Sequence, residues 1–253
     1  MVKNNALPAL IPHWTVALQR GSFYLFPGCC LLCGTLSNRP LDLCRECEAD
    51  LPFNHSACQR CALPLQTLPV SSSVFGFQCG KCLASPPDYT HCIAPLRYEF
   101  PVDTLINSFK HRGQFSRGSI LAELLLRNIK AQEALPDLIA PVPLHWRRQF
   151  VRGFNQAYWL ARYIGTRLSI PVDSRLLSRH KHTASQQGLS RKQRLNNLKD
   201  AFRLNHDIEG KNIALIDEVV TTGSTMSELS RLLRKAGAHH VEIWCLARTP
   251  LDK

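Results

Sequence analysis

The sequence predicts an α/β protein in which a mostly parallel sheet is covered by helices and preceded by a cysteine-rich module. Three observations carry this. After Arg97 short apolar strands alternate with amphipathic helical stretches, the pattern of βαβ units. Ten of the 11 cysteines fall between Cys29 and Cys92. The length of 253 residues suits one core with a small appendage, and 45% hydrophobic against 20% charged residues is globular composition, which excludes a disordered or collagen-like chain.

The elements follow in order. Residues 1–28 read as a lead segment, 29–92 as the cysteine module and 93–253 as the α/β domain. Val102, Leu105, Ile106 and Phe109 recur at helical spacing, and Ile120, Leu121, Leu124 and Leu125 mark a second helix. Leu138-Ile139-Ala140 is a short strand ended by prolines. Past the turn at Arg152-Gly153, Ala157, Leu160, Ala161, Ile164 and Leu168 trace a helix, and Tyr158 joins Leu160, Ala161 and Ile164 in its expected buried stripe. Residues 213–216 form a continuous apolar strand, a turn at Thr222-Gly223 leads to a helix over Ser224 to Lys235, and Val241 to Leu246 is another strand. No internal repeat is expected.

Two stretches, 21–38 and 62–80, are charge-free, but Pro27, Gly28, Pro64, Pro69 and a serine run break them, so no transmembrane span is expected. Pro8, Pro12 and His13 interrupt the N-terminal apolar stretch before any signal-peptide core could form. The expected location is cytoplasmic, where disulfides are disfavoured.

The cysteines therefore read as metal ligands. Four CxxC pairs stand in order, Cys30/Cys33, Cys44/Cys47, Cys58/Cys61 and Cys79/Cys82. Two residues between thiolates let both reach one ion from a tight turn, and two such turns complete the tetrahedral sulfur set of structural Zn²⁺. One or two zincs fit. With two, the quartets form in sequence or crosswise, Cys30/33/58/61 with Cys44/47/79/82, and Cys29 is able to replace Cys30. Cys92 and Cys245 read as core residues. Metal supplies folding energy that so short a module lacks.

The richest stretch is Ile213-Ala214-Leu215-Ile216-Asp217-Glu218-Val219-Val220-Thr221-Thr222-Gly223-Ser224-Thr225. A buried strand delivers two adjacent carboxylates, and a hydroxyl-rich turn then opens a helix whose first N–H groups and positive dipole end suit a phosphate. Gly223 permits close backbone approach. The acidic pair suits a sugar diol. Neither a Walker loop nor a dinucleotide GxGxxG is present.

This stretch resembles the phosphoribosyl-pyrophosphate (PRPP) signature of type I phosphoribosyltransferases, with Glu218 where relatives often carry Asp. The resemblance extends along the chain. Four CxxC pairs, Phe109-Lys110-His111-Arg112-Gly113, Pro141-Val142-Pro143-Leu144-His145, Arg152-Gly153-Phe154-Asn155-Gln156, Gln186-Gln187-Gly188-Leu189-Ser190-Arg191 and Arg194-Leu195-Asn196-Asn197-Leu198 are, in that order, similar to the ComF/GntX family, of the GntX, DNA-utilisation type. That family joins a zinc domain to a phosphoribosyltransferase domain and is associated with competence and the use of external DNA.

The resemblance implies a type I phosphoribosyltransferase-like sheet and a catalytic role for Asp217 and Glu218 on the ribose hydroxyls. It places the 5-phosphate on Thr221, Thr222, Gly223, Ser224 and Thr225, and pyrophosphate with its Mg²⁺ against the loop holding Val142 and Pro143. Lys110, Arg147 and Arg148 then neutralise charge, and His180 to Leu198, carrying Arg191, Lys192 and Arg194, sits where a hood closes over PRPP. The acceptor is encoded in no motif, and His180, His182, His239 and His240 read as loop histidines.

The formal charge of +12 is concentrated: residues 145–203 hold 13 basic and 2 acidic side chains. One PRPP does not require so many. Arg147, Arg148, Arg152 and Arg194, interleaved with Trp146, Phe150, Phe154, Tyr158 and Trp159, suit single-stranded DNA. A second expectation is thus a non-catalytic DNA-binding or adaptor protein, with partners in the uptake machinery.

Overall fold

A computed structural model of the chain describes residues 28–65, 77–132, 134–144, 150, 153–180 and 201–250. The chain divides into two compact units, Met1–Asp50 and Leu51–Lys253. The second cysteine quartet therefore belongs to the larger unit, with the sheet.

The small unit is built on a tight turn and a short helix. Gly34 N donates to Cys30 O (2.9 Å) and Cys30 N to Thr35 O (2.7 Å), with Gly34 at φ 78° and an antiparallel bridge between Cys29 and Leu36. Cys44 then caps helix α1 (Arg45–Ala49), its Sγ accepting from Cys47 N.

The larger unit repeats this plan. Ala62 N donates to Cys58 O (2.8 Å) and Cys58 N to Leu63 O (2.9 Å), Ala62 takes φ 54°, and Ala57 bridges Pro64. Cys79 precedes helix α2 (Gly80–Ala84) with nearly the backbone angles of Cys44. The offsets within the turn and within the helix at each ribbon's second cysteine pair recur from one ribbon to the other, so the expectation of no repeat is corrected. The sequence concealed the copy because Ala62 stands where the first turn has Gly34, and because 17 rather than ten residues separate the two pairs.

The sheet comprises β1 (Cys92–Ile93), β2 (Leu96–Arg97), β3 (Leu138–Pro141), β6 (Asn212–Val220) and β7 (His240–Arg248), in the order β1-β7-β6-β3, with β2 continuing along the same edge of β7. All pairings are parallel. β6 and β7 are the central pair and are nearly continuously buried, as expected of a sheet covered on both faces. Helices α3 (Val102–Arg112), α4 (Phe115–Lys130), α5 (Gln156–Leu168) and α6 (Ser224–Lys235) bury their apolar sides. Tyr158 is 40% exposed, a correction to the expected stripe: it lies about 100° round the helix from Ala157, off the face made by Ala157, Leu160, Ala161 and Ile164.

Four strands escaped the sequence reading. β1 and β2 are two-residue strands, too short to show a period. β4 (Leu177–Arg179) and β5 (Phe202–Leu204) form an antiparallel pair, extended by His180 N to Ala201 O (3.0 Å). The segment expected to form a hood falls between these two strands in the chain, and residues 181–200 lie outside those described.

Both sheet edges are closed by short segments. On one side Phe53 bridges Leu96 antiparallel, Asn54 N donates to Pro95 O and Arg97 N to Pro52 O (both 2.8 Å). On the other, Val172 bridges Ile139, with Ile139 N donating to Pro171 O (3.0 Å). Helix α5 lies close to that second segment: a Cβ on Gly165 would fall 2.6 Å from Val172 Cγ2 and 2.8 Å from Ile170 O. Backbone yields less readily than a side-chain end. Gly165→Ala should therefore cost about 1–3 kcal/mol, read as a fall in Tm of about 2–4 °C per kcal/mol in a domain of this size; an unchanged melt would mean that the segment moves aside freely.

Candidate functional site

The two quartets are formed in sequence. The ligand atoms of Cys30, Cys33, Cys44 and Cys47 lie within 4.8 Å of one another, as do those of Cys58, Cys61, Cys79 and Cys82. The crosswise alternative is thereby excluded, and Cys29 stands outside its quartet. Backbone N–H groups point at sulfur, Cys47 N at Cys44 Sγ (3.4 Å) and Cys79 N at Cys58 Sγ (3.2 Å).

The electrostatics of both quartets suit a cation. Burial pushes the Cys30 thiol up, but N–H groups of Cys44, Cys33 and Leu32 outweigh it and hold the group at about 6. Cys58 is held at about 7 by the same balance, burial opposed by the N–H groups of Cys79, Cys61 and Arg60. Their neighbours go the other way: Cys61 rises to about 11 through burial and then repulsion from Cys58, and Cys82 rises further, again chiefly by burial. One thiolate makes the next harder to form until a metal supplies positive charge. Four thiols with no other ligand and no open position are the donor set of structural zinc.

The second feature lies at the C-terminal end of the sheet, where ligands of open α/β folds collect. β6 runs further than the four apolar residues that mark it, so Asp217 and Glu218 are strand residues, Asp217 paired with Cys245 of β7. Glu218 is buried and Asp217 partly so. Burial, and then the adjacent Glu218 charge, raise the Asp217 carboxyl well above the ordinary carboxylate range, while Lys110 opposes the rise. Lys110 Nζ stands 3.8 Å from Glu218 Oε1.

The sequence positions Lys110 by ordinary helix chemistry. It sits in the last turn of α3, which Gly113 terminates at φ 61°. Its carbonyl accepts from the buried Gln156 Nε2 (3.1 Å). Asn155 caps α5, accepting from Tyr158 N, and its Nδ2 donates to Val142 O (3.2 Å). The Asn155-Gln156 pair thus ties α5 both to the loop after β3 and to α3. Val142 N donates to Ile216 O (2.9 Å), and Pro143 has no N–H. Val142 and Pro143 therefore shape that loop and offer no backbone N–H to a ligand.

Beyond Val220 the chain turns through Thr221 and Thr222 to Gly223, which takes φ 77° and opens α6. Only glycine adopts that angle without strain. The Thr222 and Ser224 hydroxyls are hydrogen-bonded to each other (2.9 Å), and Thr225 follows in the first turn of α6.

Two cations behind this loop were missed by sequence reasoning. Arg248, 4% exposed at the end of β7, donates from Nη1 to the carbonyls of Val220 (3.0 Å), Thr221 and Thr249 (2.9 Å), and from Nε to Cys61 O (3.0 Å). Lys81, inside the fourth CxxC, donates to Thr222 O (3.2 Å). The only sequence signal was a basic residue ending an apolar strand. Structure brings Asp217, Glu218, Lys110, Val142 and the 221–225 loop to one end of the sheet; Arg147, Arg148, Arg152, Arg191 and Arg194 lie outside the described residues.

Comparison with known proteins agrees with this architecture. The chain matches the Double zinc ribbon domain over residues 23–85 and the Phosphoribosyl transferase domain over 152–253. It is a protein of the type I phosphoribosyltransferase fold carrying a double zinc ribbon. It is 36% identical over 231 residues to the DNA utilization protein YhgH of Salmonella typhi, covering 88% of this chain and 98% of that one. It is 37% identical over 228 residues to competence protein F of Haemophilus influenzae, covering 87% and 96%. The chain belongs to the ComF/GntX family. A solved adenine phosphoribosyltransferase from Leishmania donovani overlaps 54% of each chain at 16% identity and a TM-score of 0.35. No helix among the described residues is long and apolar enough to cross a membrane.

The raised Asp217 carboxyl has a consequence for stability. Its folded pKa lies above its unfolded one, so the folded state binds the proton more tightly. That contribution is full below the unfolded value and is lost as pH rises through the folded one. At neutral pH the folded state must either take up that proton or hold two adjacent charges, and both cost stability. Asp217→Asn should raise stability by on the order of 1 kcal/mol at pH 7–8, with the gain vanishing towards pH 4. Thermal melts across that range check it, and a pH-independent or negative effect would contradict the assigned cause.

Proposed function

We propose that the protein binds PRPP with Mg²⁺ at the end of β6 and acts on phosphoribosyl groups in the use of external DNA. The observation that carries this reading is the continuity of Asp217 and Glu218 with the Gly223 loop at the end of one central strand. The relatives' names, DNA utilization protein and competence protein, suggest the process.

Each part has a task. The N–H groups and hydroxyls of Thr221 to Thr225 hold the 5-phosphate. Asp217 and Glu218 accept hydrogen bonds from the ribose hydroxyls and place their charge where the sugar becomes cation-like. A carboxylate pair whose proton is held tightly is suited to a partner that brings positive charge or hydroxyl donors. Mg²⁺ on the diphosphate would neutralise the leaving group, and the hard oxygens of this pair fit its neighbourhood. Lys110 balances the acidic pair, and Arg147, Arg148 and Arg191 serve as neutralising groups from the loop and the hood. Closure of the hood over PRPP excludes water, which otherwise competes for the sugar.

The test is calorimetric titration of the zinc-loaded protein with PRPP and Mg²⁺. Asp217→Asn with Glu218→Gln should weaken binding at least ~tenfold, about 1.4 kcal/mol, with zinc content unchanged. Unaltered binding by the double variant would remove those residues from the site.

One observation favours a second reading, direct single-strand binding in the same process. Phe115, Trp159 and Tyr163 form a stacked series, with centroids 5.8 and 5.3 Å apart, and the Arg167 guanidinium lies 3.5 Å over Tyr163. Phe150 is 86% exposed. Phe115 and Tyr158 are also exposed at the margin of this cluster, and exposed rings beside cations suit base stacking. Arg147→Ala with Arg148→Ala should weaken binding and reduce its salt slope by about 1.4, at about 0.7 per phosphate contact; binding insensitive to salt would count against this reading.

A further inference from the structure

The second ribbon and the phosphate loop meet within the larger unit, and the contacts between them are specific. They line a cleft of about 190 Å³ that includes Cys61, Lys81, Cys82, Tyr89, Thr222 and Arg248. The carbonyls of Val220, Thr221 and Thr222 are all held by two cations, the first two by Arg248 and the third by Lys81. A peptide unit is planar and trans, so fixing its C=O fixes the following N–H in the opposite direction. The N–H groups of Thr221, Thr222 and Gly223 are thereby turned away from Arg248 and Lys81. Those are the donors that the phosphoribosyl reading assigns to phosphate.

Both cations depend on the Cys58/Cys61/Cys79/Cys82 quartet. Arg248 Nε is bonded to the carbonyl of Cys61, and Lys81 lies between Cys79 and Cys82 in a helix that begins at the third ligand. Four thiolates around Zn²⁺ leave a net charge of about −2, which the two cations are placed to balance. A buried guanidinium is costly without such compensation.

We infer that the metal centre at Cys58, Cys61, Cys79 and Cys82 sets the phosphate affinity of the 221–225 loop, with Arg248 and Lys81 as the positioning residues that couple the two. The inference rests on the phosphoribosyl reading and deepens it: the second ribbon is part of the ligand-binding apparatus as well as a fold-stabilising appendage. Linkage makes the coupling reciprocal. A phosphate ester in the loop must tighten metal binding at that quartet by the same factor.

The experiment uses the full zinc-loaded chain and ribose 5-phosphate. Zinc is withdrawn by a chelator while freed thiols are alkylated and mapped by mass spectrometry, with affinity measured in parallel by calorimetry. In the wild type, ribose 5-phosphate should raise about 5-fold or more the chelator concentration that leaves half of Cys58, Cys61, Cys79 and Cys82 open to alkylation. Lys81→Met should weaken ribose 5-phosphate roughly tenfold and abolish the protection, and Lys81→Arg should restore both. Arg248→Lys, which keeps charge but loses the fork, should behave as Lys81→Met if it folds; the exposed Lys81 carries the test if it does not. Ribose 5-phosphate binding with unprotected thiols, or with Lys81→Met at wild-type affinity, overturns this inference alone. A wild-type protein that binds no ribose 5-phosphate overturns the phosphoribosyl reading and the inference with it.

Discussion

The parallel pairing of β6 with β7, in register from Asn212 opposite His240 to Val220 opposite Arg248, is the constraint on which the site depends. It ends both strands at one level, so the guanidinium closing β7 reaches the carbonyls closing β6. A slip of one residue would exchange the faces of every side chain on the moved strand. Asp217 would leave its place relative to Lys110, and Arg248 would lose the loop. The burial of Ile213 to Ile216 and Val241 to Ala247 opposes any such slip. The hydrophobic core and the chemistry at its end are thus specified by the same contacts.

Much of this was legible in the residues. The helices over Val102–Arg112 and Ser224–Lys235, and the strands around Ile139, Leu215 and Ile243, declare themselves by period and by terminating glycines and prolines. The cysteine spacing announced metal, and the carboxylate pair before a glycine-opened helix marked the end of the central strand as the candidate site. What could not be read depends on distance in the chain. Arg248 is one basic residue among many until folding buries it beside Cys61, and Asn155 and Gln156 look like loop polar residues until they meet Val142 and Lys110. Quartet pairing is of the same kind, since local spacing is identical in either arrangement.

The two ribbons are copies that have diverged in setting. The first keeps Cys33 exposed, whereas all four cysteines of the second are buried. The first turn has glycine at its left-handed position and the second alanine, a residue that accepts the angle only when surroundings enforce it. The surrounding sheet unit supplies that enforcement: Cys58, Cys61, Cys79 and Cys82 belong to the same buried cluster as Ile213, Leu215 and Val220.

The closed edges of the sheet bear on what the protein can associate with. An open strand offers a row of unpaired amides to any extended peptide, the usual route to strand addition and to aggregation. Here the segment through Pro52 and Phe53 lies along Leu96 and Arg97, and that through Pro171 and Val172 along Ile139. Each is short and carries a proline, which has no amide hydrogen to offer. These edges are poor templates for another chain, which leaves loops, helix faces and the strand ends as the surfaces on which recognition is built.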